Sequence, residues 1–318
     1  IPTREFLKME KAENPIYSAD VSPDFVVYAL PRDGVGLTQA TLVDERLLYM
    51  LREQCWENPY HARAFLEVVS EMRFQLPEVP QVLVSGSSFF AELPERERMP
   101  AVSSAMAKDL VAARSGIHGV FHRAAQDAAQ TALETNGPDA TTRVLSLCLD
   151  TSSEATAILN GRPVLVTRGN TPLEGLPGDT TCGEIDPGIV LYLADSLGLG
   201  PEEIGQILTR ESGLSALVGE DTTLAAVAEA RTEREAAAWR LFIYRMTLVL
   251  GEALAALGGL DAIVFSGTYR EVGQKLTPVL EQRLRQIPTQ PTPVYLSVDA
   301  SFEELAVREG LQLLARVA

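Results

Sequence analysis

Cysteine is scarce: Cys55, Cys148 and Cys182 are the only three in 318 residues, too few and too scattered for a zinc ribbon or a disulfide framework. That usage fits a reducing cytoplasm. Basic residues are outnumbered, 27 against 43 acidic, for a formal charge of −16, and no Lys/Arg-rich run supplies the basic stripe that a phosphate backbone needs. Nucleic acid is not an expected partner. A long uncharged apolar run is also missing, since the most apolar stretch, Leu241 to Phe265, contains Arg245, Glu252 and Asp261. It reads as a buried helix followed by a strand rather than a membrane span. Fixed-period repeats, low-complexity tracts and Pro/Ser linkers are lacking. The chain opens at Ile1 with neither an initiator methionine nor a basic-then-apolar signal pattern, which leaves room for a preceding segment. What is present, 46% hydrophobic and 22% charged residues, is the mix of a globular protein, and the length is about twice the ~150 residues expected of one domain.

The periodicities alternate strand and helix. Asp24 to Leu30 reads as a strand and Val43 to Gln54 as a helix. A second helix follows through Phe74, with Asn58 as its N-cap and Pro59 in the first turn. Gln81 to Ser85 is a short apolar strand that breaks into Gly86-Ser87-Ser88, and helices are expected over Ala101 to Ala113 and Phe121 to Leu133. The middle of the chain turns β-rich: Arg143 to Leu149, Glu154 to Leu159 and Arg162 to Thr167, with Asn160-Gly161 as a hairpin turn between the last two. Helices dominate from Pro187, the longest spanning Glu233 to Leu257, with strands at Asp261 to Phe265 and Val294 to Ser297. This is an α/β pattern. The domain boundary is placed near Thr141, giving domains of 1–140 and 141–318.

Several motifs stand in one order along this frame. Thr171-Pro172-Leu173-Glu174-Gly175-Leu176 is followed by Cys182-Gly183-Glu184-Ile185-Asp186-Pro187-Gly188-Ile189, and preceded by Gly116-Ile117-His118-Gly119-Val120-Phe121-His122. Ser212-Gly213-Leu214, Phe242-x-Tyr244-Arg245 and Leu257 to Phe265 come after. Together they resemble the acetokinase family of acetate, propionate and butyrate kinases, over roughly Asp24 to the C-terminus. The resemblance implies a duplicated ribonuclease-H-like fold of the actin and sugar kinase superfamily, two domains around a cleft, here with a truncated N-terminal domain. It also implies a homodimer formed through the C-terminal domain, and transfer of phosphate from ATP to a carboxylate with magnesium.

Phosphoryl transfer works by positioning and charge neutralisation, so cations, glycine-lined phosphate loops and metal-holding groups are the parts to seek. Against the family pattern many are changed. The initial Asn-Ala-Gly-Ser-Ser-Ser loop has no counterpart in residues 1–23. Ala29 and Thr181 stand where the family has its catalytic arginines, Thr223 where a nucleotide-contacting arginine follows the aspartate (here Asp221), and Gly86 where the catalytic aspartate lies. Asp150-Thr151-Ser152 replaces a Gly-Asn-Gly turn, and Ser266 to Glu271 replaces the glycine-rich adenosine loop. In the acyl pocket the resemblance points to Trp56, Ile117 and Pro172, with Glu57 beside Trp56 repelling a carboxylate. His118 is retained as the candidate catalytic residue, Asp221 and Gly267 as candidate nucleotide contacts, and Glu303 or Glu304 as magnesium ligands.

Each of these residues also has a plain structural reading. His118 and His122 suit a hydrogen-bonded pair lining an old cleft, and His61 suits a surface. Ser301 and Glu304 have capping-box spacing. Asp150 and Asp221 suit turns and helix caps. Two functional readings follow. One is a non-catalytic acetokinase homologue, a binding or scaffold subunit with no cofactor. The other is an active kinase that uses ATP and magnesium on a small carboxylate, with Arg32, Arg168 and Arg270 as replacement cations.

Overall fold

The computed structural model describes residues 23–30, 36–54, 59–103, 105–106, 114–133, 141–171, 173–287 and 290–317, with the side chains of 54–64 outside the description. The chain divides into two compact units, one of residues 1–91 and 303–318, the other of residues 92–302. The boundary expected at Thr141 lies inside the second unit. The reason is that the helix before it, Gly119–Leu133, packs on the sheet that begins after it.

In the first unit, β1 (Val26–Leu30), β2 (Thr41–Leu42) and β3 (Gln81–Ser85) form a sheet of order β1-β3-β2. β1 runs parallel to β3, with Ala29 opposite Val84, and β2 is antiparallel to it. Helix α1 (Glu45–Gln54) starts where Asp44 Oδ1 accepts the Leu47 N–H at 2.7 Å, and it buries Leu47, Leu48 and Leu51. Helix α2 (Pro59–Gln75) buries Phe65, Val69 and Met72, which fall on one face at helical spacing. The Phe65 ring meets Tyr28 of β1 edge-on at 5.6 Å. The expected N-cap Asn58 lies outside the described residues.

The second unit opens with a short helix, α3 (Glu95–Arg98), and continues with α4 (Gly119–Leu133). Most of the helix expected at Ala101 to Ala113 lies outside the described residues. The expected β-rich middle is present as β4 (Arg143–Cys148), β5 (Glu154–Leu159) and β6 (Arg162–Val166). Asn160 and Gly161 both take positive φ, 50° and 81°, the conformation that a two-residue hairpin turn requires. Short helices α5 (Pro187–Asp195), α6 (Pro201–Arg210), α7 (Gly213–Val218) and α8 (Leu224–Glu229) lead to α9 (Glu233–Leu257). A reciprocal capping box between Thr232 and Glu235 starts α9, and Gly258, in the left-handed conformation, ends it. Then come β7 (Ala262–Ser266), α10 (Gly273–Leu284), β8 (Val294–Ser297) and α11 (Phe302–Val317).

This sheet has the order β6-β5-β4-β7-β8, with β4, β7 and β8 parallel and the β4-β5-β6 meander antiparallel. Alternation along the strands gives it two chemically different faces. Leu145, Leu147, Ala155, Ala157, Ile263 and Phe265 point to one side, where Phe242, Met246, Leu250 and Ala253 of α9 complete the main core. The opposite face meets α4. It is apolar at Val144, Ile158 and Val264, but turns polar at Ser146, Cys148, Glu154, Thr156 and Ser266, all fully buried.

Candidate functional site

Glu154 is the charged member of that polar face, and its side chain is wholly buried. Strand pairing sets it opposite Cys148. The entrance to α4 brings donors onto it: Oε2 accepts the Ile117 N–H at 3.0 Å and Oε1 the His118 N–H at 3.3 Å. His122, one helical turn further on, places Nε2 at 3.0 Å from Oε1 and Nδ1 at 2.8 Å from Ser146 Oγ. His118 Nδ1 lies 3.5 Å from Oε2, an electrostatic contact, and its side chain keeps 13% exposure. Motif residues Ile117, His118 and His122 are therefore organised by a carboxylate from a different element.

Burial by itself raises the Glu154 carboxyl; the donors and charge of His118 and His122 outweigh it and hold the group well below the usual carboxylate range. Burial also lowers the His122 imidazole, against the opposing pull of Glu154. An ionised carboxylate only accepts, so the neutral His122 ring donates Nε2–H to Glu154 and accepts the Ser146 O–H at Nδ1. The Cys148 thiol on the same face is pushed well up by burial and by the charges of Glu154 and Asp150. It is a neutral filling group and not a nucleophile.

Beyond the carboxyl ends of parallel β4 and β7, where open α/β sheets usually bind ligands, three loops converge. Gly267, with φ +86°, lets the loop after β7 lie against Leu149, and the Tyr269 N–H reaches Leu149 O at 2.8 Å. Asp150 Oδ1 accepts the Thr151 N–H at 2.8 Å. Its Oδ2 accepts the Thr268 N–H at 3.2 Å and the Thr268 hydroxyl at 2.9 Å. The third loop enters through Asp179, whose N–H donates to Thr151 O at 2.8 Å. The Asp179 carboxylate accepts the Leu224 N–H at 2.8 Å and the Tyr269 hydroxyl at 2.7 Å. Burial raises the Asp179 carboxyl, and Asp150 adds negative charge to that shift. Arg168, buried, donates to Ser152 Oγ at 3.0 Å.

The residues singled out from the sequence divide between the two units. His118, Ile117, Asp221 and Gly267 belong to the second unit, and Glu303 and Glu304, exposed at the start of α11, to the first. Trp56, Glu57, Pro172 and Arg32 lie outside the described residues. Asp221 is exposed and is not the cap of α8: Thr223 takes that role, its Oγ1 accepting the Ala226 N–H. Thr181, at the family's arginine position, has Oγ1 buried with no hydrogen-bond partner. Arg270 is paired with Asp299 and Glu271. The sequence motifs point to neither Glu154 nor Asp179 as a site residue, and to Tyr269 only as a member of the Ser266 to Glu271 loop. A signal for Glu154 did exist, a carboxylate at the head of an apolar strand in a chain with two histidines four apart.

Among the described residues no three His, Cys, Asp or Glu side chains gather to hold a metal ion. Among the described residues, the loop amides of Thr151 and Thr268 already bond to Asp150. No helix among the described residues is long and apolar enough to cross a membrane.

Comparison with known proteins places these features in a lineage. The acetokinase family profile matches residues 23–289. An acetate kinase of Sulfurimonas denitrificans is 31% identical over 93% of this chain and 79% of its own length. An acetate kinase of Syntrophobacter fumaroxidans is 30% identical over 87% and 72%. In structure, the Porphyromonas gingivalis acetate kinase superimposes with a TM-score of 0.81 at 24% identity, over 98% of this chain and 83% of that one. A Francisella tularensis propionate kinase does so at 0.77 and 22% identity, over 89% and 78%. The fold is the α/β, actin and sugar kinase-like fold of these enzymes, and the chain belongs to the acetokinase family.

Proposed function

We propose that this protein is an acetokinase homologue that no longer transfers phosphoryl groups and acts as a binding or scaffold subunit. The observation that carries this reading is the pair of carboxylates, Asp150 and Asp179, at the loops beyond β4 and β7. Between them they accept the Thr151, Thr268 and Leu224 N–H groups and the hydroxyls of Thr268 and Tyr269. A polyphosphate needs amides and cations there, and it meets negative charge and occupied donors. The residues at the family's arginine positions, Ala29, Thr181 and Thr223, are neutral. Each missing transition-state donor costs about 10²–10³ in rate, so several together leave little catalysis.

The subunit is assigned to the cytoplasm and to a homodimer. Exposed apolar residues support the dimer: Leu241, Tyr244 and Leu248 on α9, and Ile189, Leu191 and Tyr192 on α5.

A second reading is favoured by one observation, the partly exposed His118 imidazole seated on the buried Glu154 carboxylate, an arrangement found in general acid–base and charge-stabilising sites. In that reading the protein phosphorylates a small carboxylate with ATP and magnesium. The resemblance assigns His118 to the transferring group, Trp56, Ile117 and Pro172 to the acyl pocket, Asp221 and Gly267 to the nucleotide, and Glu303 or Glu304 to magnesium. The deciding experiment traps acyl phosphate as hydroxamate from MgATP with acetate, propionate or butyrate. No product above background is expected. Product that disappears in His118→Ala overturns the non-catalytic reading.

A further inference from the structure

We infer that the Asp150 carboxylate is an internal anion that keeps an oxyanion seat closed. The inference rests on the non-catalytic reading and gives that reading a structural cause. Three observations converge. First, the seat is built from two chain segments 118 residues apart, and the Asp150 side chain joins them through Oδ2, which takes both the backbone N–H and the hydroxyl of Thr268. Second, its other oxygen takes the Thr151 N–H of its own turn, so one carboxylate collects three donors, as a bound phosphate or carboxylate oxygen pair does. Third, a buried cation borders the same turn, Arg168, whose Nη1 donates to Ser152 Oγ at 3.0 Å. The position, at the carboxyl ends of two adjacent parallel strands, is the one at which open sheets receive ligands.

A competitor tethered in the chain lowers the affinity for an external ligand in proportion to the fraction of molecules in which the seat is open. Removing the carboxylate raises that fraction and removes the repulsion together. The ligand class is an oxyanion, and separate titrations distinguish phosphate from carboxylate.

The test is calorimetric titration of the full chain, wild type and Asp150→Gly, with inorganic phosphate, with MgADP and with acetate. Wild type is expected to give no saturable heat at millimolar ligand. Asp150→Gly is expected to bind phosphate or MgADP at least about tenfold more tightly, the gain an internal competitor that leaves a tenth or less of the seats open would conceal. Stronger binding of acetate than of phosphate assigns the seat to carboxylates. Should Asp150→Gly fail to fold, Asp150→Ala, which also empties the seat, carries the test with a gain in the same direction. Equal, absent binding in wild type and the folded variant overturns the inference and leaves the non-catalytic reading standing. Tight MgADP binding by wild type overturns the inference, and hydroxamate formation by wild type overturns the reading on which it rests.

Discussion

Replacing Glu154 by glutamine preserves the volume of the side chain and removes its charge, at a position where three N–H groups point at it. In the wild type, Oε1 serves the His118 N–H and His122 Nε2, and Oε2 serves the Ile117 N–H. A glutamine keeps one acceptor oxygen. If it stays with His118 and His122, its amide nitrogen faces the Ile117 N–H donor to donor. The loss of a hydrogen bond to a charged group, with one donor left unsatisfied inside the protein, is about 2–4 kcal/mol. For a unit of roughly 200 residues that lowers the midpoint of thermal unfolding by about 5–15 °C. Urea unfolding, followed by far-UV circular dichroism from pH 7.5 to pH 3.5, measures the effect and its cause. Glu154 has a depressed folded pKa, so its stabilisation is fully present above the unfolded value of 4.5 and is lost as pH falls below it. His122 is depressed as well, so from 6.5 downward the unfolded chain takes up a proton that the native one refuses, and stability falls in both proteins. The difference between wild type and Glu154→Gln should therefore hold above about pH 4.5 and narrow below it. A loss under ~1 kcal/mol at neutral pH, or a difference that stays constant down to pH 3.5, refutes the assignment of Glu154 as an ionised acceptor.

Three further outcomes are expected. Gly267→Ala puts a Cβ at 2.5 Å from Leu149 O in a residue of φ +86°; it should cost about 2 kcal/mol or more by chemical denaturation, and an unchanged midpoint refutes the close loop crossing. Thr232→Ala removes the hydroxyl that accepts the Glu235 N–H and breaks the capping box of α9, for a loss of about 1 kcal/mol measurable in the same way. Tyr244→Glu, at a position 58% exposed on α9, should convert a dimer to monomer in sedimentation velocity without changing the far-UV spectrum; a wild type that is already monomeric removes the dimer from the proposal.

The parts of the fold that were legible in the sequence are those where one local signal suffices. The Asn160-Gly161 turn fixes its hairpin because only residues tolerant of positive φ enter it, and α9 announces both ends, by Thr232 with Glu235 and by Gly258. Domain limits were less legible, because a helix may pack on strands that precede or follow it in the chain; α4 joins the strands after it, and the last helix joins the first unit. At the site, Asp150 could be read as a turn residue, and it is one. Its reach to Thr268, 118 residues away, depends on the parallel β4–β7 register and has no local trace. Glu154 left a trace as a carboxylate at the head of an apolar strand, but its partners did not: alternation marks a buried strand face, and the helix that lies on that face is chosen by tertiary packing.

Helix α11 carries Gly310, where an added Cβ would come within 2.8 Å of Val27 on β1. The helix thus lies against a strand laid down some 280 residues earlier, within a unit whose remaining residues end at Ala91. During synthesis the strands of that unit leave the ribosome first, yet they must wait for the rest of the chain before their covering helix exists. Growing at about 5–20 residues per second, the chain leaves β1 without α11 for roughly 15–55 seconds, an interval in which chaperones have an apolar surface to hold.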